Sequence, residues 1–470
     1  MSERGMTEQG MTSRGLTEQG MTEPGMTPLA EQVLEVVGRV AGSGADAEVH
    51  VSTGTTGLTR FAASFIHQNV AESYARVRVR VALDGQWATA STNRTDADAV
   101  QRLVESATAA ARLRPVDPGY PGPAPPAATL TAGNWDPATA MATPEDRAAV
   151  VRDFVAAAGG LPVAGYVETL SEQAGFCNSA GQQAGGQRTT ATVDGIARTA
   201  TSDGVGRSSS VRLGALSGAE LGGLAAAKAR SAEQPTDLAP GDYEVVLEPS
   251  CVANVLEFLA LHGFNGRAVL EGRSFAELGG QQFDQSVRLA DDPTDELSAA
   301  LPYDVEGTPH RRLDLVVDGV TRAVTHDRRT ALAAGAQSTG HAVPGGERIG
   351  ATAADLRLAA GDGGSSDELA GRMRRGLLVS DFWYTRVLDP RTTVVTGLTR
   401  NGVWLVEDGT VVRPVHNLRF TQSYLEALGP GAVLEIGSQT GVLGDRWFDS
   451  LTVAPSLWLA RWRFTGGAAG

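Results

Sequence analysis

Cysteine is almost missing from this chain: Cys177 and Cys251 are the only two in 470 residues. They form no CxxC, which excludes a thiolate zinc cage and suits a reducing cytoplasm. Histidine is nearly as scarce, at seven, and no two of His50, His67, His262, His310, His326, His341 and His416 lie within five residues of each other. No local pair therefore builds a metal site. Long apolar runs are also absent, and none approaches the ~20 residues that cross a bilayer. The first residues carry both charge signs and no apolar core, unlike a signal peptide. Positive charge is in deficit, with a formal balance of −14, which argues against broad binding to nucleic acid or anionic lipid. Neither a GxSxG elbow nor a Walker A loop occurs. AGSGADA (41–47) matches GxGxxA but follows a helix and precedes a strand, the reverse of a dinucleotide loop.

What is present reads as a globular protein, 42% apolar and 20% charged, long enough for two cores. Residues 1–26 repeat a five-residue unit (ERGMT, EQGMT, SRGLT) with little to bury, and are expected to be a disordered tail. An amphipathic helix should start near Pro28. YARVRVRVALDGQWATAST predicts a hairpin turning at Asp84-Gly85, with Val77, Val79 and Val81 on one face. Arg76, Arg78 and Arg80 fall on the other face, read as a solvated surface in preference to a groove for acidic groups. Helices are expected from a Thr95 cap, from Thr143 with Pro144 at its first position, and across LSGAELGGLAAAKARSA. GDGGSSDELAG should be a loop leading into a helix capped by Ser366 or Asp367. EQPTDLAPGD, near 233–242, reads as a linker. The expected fold is α+β with two domains, 27–235 and 236–470, each a mainly antiparallel sheet with packed helices.

The stretch VLEFLALHGFNGRAVLEGRSF (255–275) bears most directly on chemistry. The expected helix 251–262 follows a Ser250 cap and is apolar nearly all round, as in a buried helix. Glu257 is its odd residue, since a buried carboxylate needs a partner or a raised pKa. His262 lies in its last turn. The i, i+5 spacing of Glu257 and His262 turns them about 140° apart on a regular helix, so two ligands there would need a distorted one. Arg267 and Arg273 flank the exit loop, placed to neutralise Glu257 or Glu271.

LTRFAASFIHQNV, EGRSF, PYDVEGTPHRR, STGHA, RMRRGLLVSDFWY and RPVHNLRFTQSYL occur in an order that resembles the TldD/PmbA family of metallopeptidase-related proteins, in its PmbA (TldE) branch. The resemblance runs from about residue 29 to residue 466. In the TldD-like subunit the corresponding helix carries HExxxH, with a downstream Cys as a further ligand. Ungapped counting from EGRSF places the second His on His262, the first on Glu257 and the Glu on Phe258, while GSQTGVLGDRW offers no Cys. The resemblance thus implies a chain with no catalytic residue and no metal of its own. It implies a zinc-bearing TldD-like partner with HExxxH, a peptide substrate, and a shared chamber for unstructured or modified peptides, including leader segments. His67, Asn69, Arg267, Arg273 and His341 lie in or near the shared stretches and are candidate peptide or partner contacts, with structural hydrogen bonding the plainer role. Two other readings stay open: a self-sufficient metal-dependent hydrolase of a peptide or small amide metabolite using Glu257 and His262, and a peptide-binding module.

Overall fold

The computed structural model describes residues 26–130, 133–444 and 450–467. The expected tail, apart from Met26, lies outside the described residues, as does the end of GSQTGVLGDRW beyond Gly444. The protein is α+β, built on two large sheets.

The first sheet holds six antiparallel strands: β1 (Asp46–Ala62), β2 (Phe65–Leu83), β3 (Gln86–Thr92), β4 (Val163–Asn178), β5 (Gln183–Arg198) and β6 (Asp203–Ser210), in the order β3-β2-β1-β4-β5-β6. Period-two alternation gives this sheet two unlike faces. On one face Val49, Val51, Val77, Val79 and Val81 are fully buried under helices Thr27–Ala41 and Ala97–Arg112. Further along the same face, Phe61, Val167 and Val193 pack under helices Pro144–Ala157 and Gly218–Ser231. The caps follow side-chain chemistry. Thr143 and Asp146 form a reciprocal capping box, and Ser217 accepts from the Glu220 amide. The helix expected from Thr95 is capped by Asp96 instead, whose carboxylate accepts from the Ala99 amide.

The opposite face corrects the reading of the Arg row. Arg76 is exposed, but Arg78 and Arg80 are roofed by the second half of the chain. Arg80 lies 2.9 Å from Glu48 on the neighbouring strand, 3.5 Å from Glu306 and 3.6 Å from Glu347. The loop PYDVEGTPHRR (302–312) delivers Glu306 and sets Tyr303 between the His50 and Phe176 rings. Gly307 is required there: its φ is +76° and an added Cβ would come within 2.1 Å of the Phe176 ring. Alternation in the sequence predicts a polar face, and only the fold shows that protein covers it.

The second sheet contains β7 (Gly241–Leu247), β8 (Leu289–Asp291), β9 (Leu313–Val317), β10 (Val320–Thr321), β11 (Leu356–Leu358), β12 (Arg375–Asp389), β13 (Val394–Glu407), β14 (Thr410–Pro414), β15 (Leu418–Ser423), β16 (Val433–Gly444) and β17 (Leu451–Gly467). β7 pairs with both β12 and β17, so β7, β12, β13, β15 and β17 close into a ring. Most pairings are antiparallel, with β7–β12 and β11–β17 the parallel ones. Phe382, Phe420, Tyr424 and Trp462 stack with centroids 4.5–5.6 Å apart in its core. The short helix Ser366–Ala370 is capped by Ser365, not by Ser366 or Asp367.

Burial raises the Glu48 carboxyl to about 7 against the pull of Arg80, and raises Asp304 to about 8 with Glu306 adding to the effect. In the unfolded chain both lose their protons near their ordinary values of 4.5 and 3.8, so unfolding releases protons across the interval up to the folded values. The contribution of these two groups should therefore fall as pH rises through this window. It is unopposed above 6.5, since His50 and His310, both lowered to about 4 by burial, give the opposite slope below it. Urea titrations at a series of pH values should show that slope, and Glu48→Gln should remove its share; an unchanged slope in the variant would refute the assignment. Arg80→Ala should cost about 3–5 kcal/mol, because it strands buried carboxylates.

Candidate functional site

The helix Pro249–His262 follows β7 directly. Its start differs from expectation: Glu248, extended at φ −69° and ψ 164°, is the cap residue and Pro249 occupies the first turn. Pro249 has no amide to satisfy there and its φ already suits a helix. The Glu248 carboxylate instead accepts from Ser380 Oγ at 3.0 Å and from Lys228. Cys251, Val252, Val255, Leu256 and Leu259 bury into the ring core, which leaves Asn254, Glu257, Phe258, Leu261 and His262 as a half-buried stripe at helical spacing.

That stripe meets a cleft of about 540 Å³ between the two halves of the chain. Glu257 and Phe258 line it from the helix, Trp383 and Tyr384 from β12, and Glu168 and Asp194 from the polar face of the first sheet. Arg207 on β6 bridges the halves. Its Nε lies 3.1 Å from Asp194, and its Nη1 donates to both carboxylate oxygens of Asp381 at 3.1 and 3.2 Å. Asn401 Nδ2 donates to the same Asp381 at 3.1 Å. Burial opposes the charge on Arg207, yet Asp381 and Asp194 outweigh it and hold its pKa above the ordinary value. The Arg400 guanidinium sits 4.4 Å from the centre of the Trp383 ring. The cleft thus offers aromatic surface beside carboxylates and a neutralised cation.

Phe258 does not stand free in the cleft. Its ring meets Tyr424 edge-on at 5.9 Å and His262 at 5.8 Å. The Tyr424 hydroxyl donates to Asn254 Oδ1 at 3.0 Å, and Asn254 Nδ2 donates to Thr385 Oγ1 at 3.1 Å. Burial, with Arg273 nearby, lowers the His262 pKa and favours the neutral imidazole. Glu257 lines the cleft while His262 does not, so the helix separates the two residues as their spacing requires.

The remaining predicted residues do not gather here. Arg267 and Arg273 both bind Glu271, and Arg267 also donates to the Glu347 carbonyl. Glu271, one of the two partners read for these arginines, thus pairs with both. His341 is buried, with Nε2 3.2 Å from Asp291 Oδ1 and Nδ1 2.9 Å from Thr339 Oγ1. It belongs to an internal group with His310, whose ring lies 5.8 Å away. His67 and Asn69 sit on the exposed part of β2, where Asn69 accepts from Thr59. Sequence reading missed Arg207, Asp381 and Trp383; SDFWY carried two of them, but nothing local ties that string to β6.

Profiles of the PmbA/TldA metallopeptidase family match twice: domain 1 over residues 47–111 and the C-terminal domain over residues 240–466. The chain belongs to the TldD/PmbA family. TldE from Thermococcus kodakarensis has the same fold, with a TM-score of 0.83 at 17% identity over 93% of this chain and 100% of that one. A Thermotoga maritima protein superposes with a TM-score of 0.81, also at 17% identity and the same coverage. A Methanothermobacter thermautotrophicus protein named a metalloprotease is 24% identical over 204 residues. That match spans 42% of this chain and 44% of the relative, so the chain covers less than half of that protein.

Family membership raises the question of zinc, which takes four ligands in structural sites and three plus water in catalytic ones. Among the described residues no group of three or more His, Cys, Asp or Glu is placed to hold a metal. Cys177 and Cys251 are both buried, and burial raises both thiols, Cys177 to about 12. The donor set here does not fit a catalytic zinc. Purified alone, the chain should carry far less than one zinc per molecule by elemental analysis after dialysis. About one tightly held zinc, lost on His262→Gln, would contradict this reading of the helix.

Proposed function

We propose that this chain is the non-catalytic subunit of a heteromeric, cytoplasmic TldD/TldE-type zinc metallopeptidase that cleaves unstructured or modified peptides. The metal and HExxxH belong to a TldD-like partner, and this chain supplies part of the enclosing wall and supports the catalytic subunit. One observation supports the reading: Phe258, which counting from EGRSF sets at the family's general-base position, packs against Tyr424 on a helix that lines the cleft. A base must reach the proton that it removes, and a phenyl ring accepts none. Glu257 in place of the first His supports the same conclusion. An enclosure kept without its catalyst is best accounted for when another chain completes it. A second reading, retention of peptides without cleavage, draws on the aromatic and acidic lining of the same cleft.

Co-expression with an HExxxH-bearing family member should yield one co-eluting complex that cleaves an unstructured peptide. In that complex Glu257→Ala and His262→Ala should each lower turnover by less than about tenfold, or ~1.4 kcal/mol of barrier. Replacing either His of the partner should abolish turnover. Full activity of the partner without this chain would refute the shared enclosure.

A further inference from the structure

Trp383 and Tyr384 line a second cavity besides the cleft, of about 630 Å³. Its other walls come from the turn between β5 and β6, from β13 over residues 398–403, and from residues 415–417 after β14. The two spaces therefore share an aromatic wall. The backbone is strained at that wall. Trp383 pairs with Leu398 and Arg386 with Thr396, so Tyr384 and Thr385 bulge opposite Gly397 alone. A bulge re-aims the side chains that it carries. Tyr384 has a φ of +52° and is 65% exposed, and Asn401, which lines the cavity from β13, has a φ of +58°. Left-handed backbone is costly in such residues and gathers where ligands are held.

The charge of the two spaces differs in sign. Among the described residues the cleft is lined by four carboxylates and one guanidinium. The second cavity reverses that balance, with Arg198 and Arg400 against a single carboxylate, Asp203. Arg198 holds Asp203 through hydrogen bonds of 2.5 and 3.1 Å. Arg400 is left over. Its guanidinium lies 4.4 Å from the centre of the Trp383 ring, and among the described residues no carboxylate pairs with it. Stacking uses the flat face of a guanidinium and leaves its N–H edge open to a bidentate carboxylate. Leu398, Val415 and Pro235 line the same space, so this cation adjoins apolar surface.

We propose that the second cavity seats the C-terminal carboxylate of a peptide on Arg400, with the preceding residues passing Tyr384 into the cleft. The last side chain of the peptide lies against Leu398 and Val415. A chain terminus suits the site because its carboxylate and its last side chain branch from one carbon, as the cation and the apolar wall adjoin here. An internal acidic residue offers the same carboxylate, but sets it apart from the backbone on a stem of its own. This assignment rests on the peptide substrate proposed above and adds which end of it is held.

The test titrates three labelled, unstructured peptides into the full chain and into its complex with an HExxxH-bearing partner. All share one sequence ending in leucine: a free acid, its C-terminal amide, and the amide with one internal glutamate. The free acid should bind about tenfold or more tightly than the amide, as charge-assisted hydrogen bonds require. The internal glutamate should not restore the loss. Arg400→Gln should bring the free acid to the level of the amide and leave the amide unchanged. Arg400→Lys should recover part of the difference, since it keeps the charge and loses the fork. The comparison on the wild-type chain needs no variant to fold. Equal binding of acid and amide would overturn the carboxylate seat while peptide binding stands. Recovery by the internal glutamate would overturn the choice of a chain terminus. Binding of none of the three, by chain or complex, would overturn the peptide reading with it.

Discussion

The architecture depends on covering one polar sheet face. β1, β2, β4 and β5 turn valines to their helices and turn Glu48, His50, Arg80, Glu172 and Arg188 the other way. Left to water, that face would be ordinary. Buried, it imposes a strict accounting, because each charged group taken from water needs a partner close at hand. The second half of the chain meets this with Glu306, Glu347 and Asp381, each set against an arginine of the first half. Burial raises the Glu48 carboxyl to about 7 even against the nearby Arg80, with Glu306 adding to the effect. The halves are therefore joined by directed ion pairs as well as by apolar contacts such as Phe176 with Tyr303, and the directed contacts specify orientation. The cleft lies where this polar seam opens.

The ring of strands supplies rigidity of a different kind. Its stacked aromatics form an apolar core, and the cleft helix buries one side in it. The position of Glu257 and Phe258 is thus set by residues that take no part in chemistry. Arg207 then fixes the facing wall through Asp381, two residues before Trp383. The Arg207 bridge and the ring together hold the cleft open at a defined width.

Much of this was legible in the sequence, and the failures have physical reasons. The strands, the Asp84-Gly85 turn, the Thr143 cap and the α+β class follow from local periodicity and turn chemistry. The caps at Asp96 and Ser365 were each missed by one or two positions, since neighbouring polar residues compete for the same amides, while the helix at Pro249 starts without any side-chain cap. The Arg row was misread because alternation reports which residues share a face and never what covers that face. Arg207 was invisible for the same reason: its partners Asp194 and Asp381 lie 13 and 174 positions away. The body of the helix after Pro249 was legible because its periodicity is local.

The packing of Phe258 bears on how such a chain could change over time. Its ring is one wall of the pocket that holds Tyr424, whose hydroxyl orients Asn254 and, through it, Thr385. Writing a glutamate back at this position would remove apolar contact from Tyr424 and set a carboxylate against the face of the core. That change would therefore disturb packing before it conferred any chemistry. Packing around Tyr424 thus limits what position 258 can accept, whatever chemistry the cleft performs.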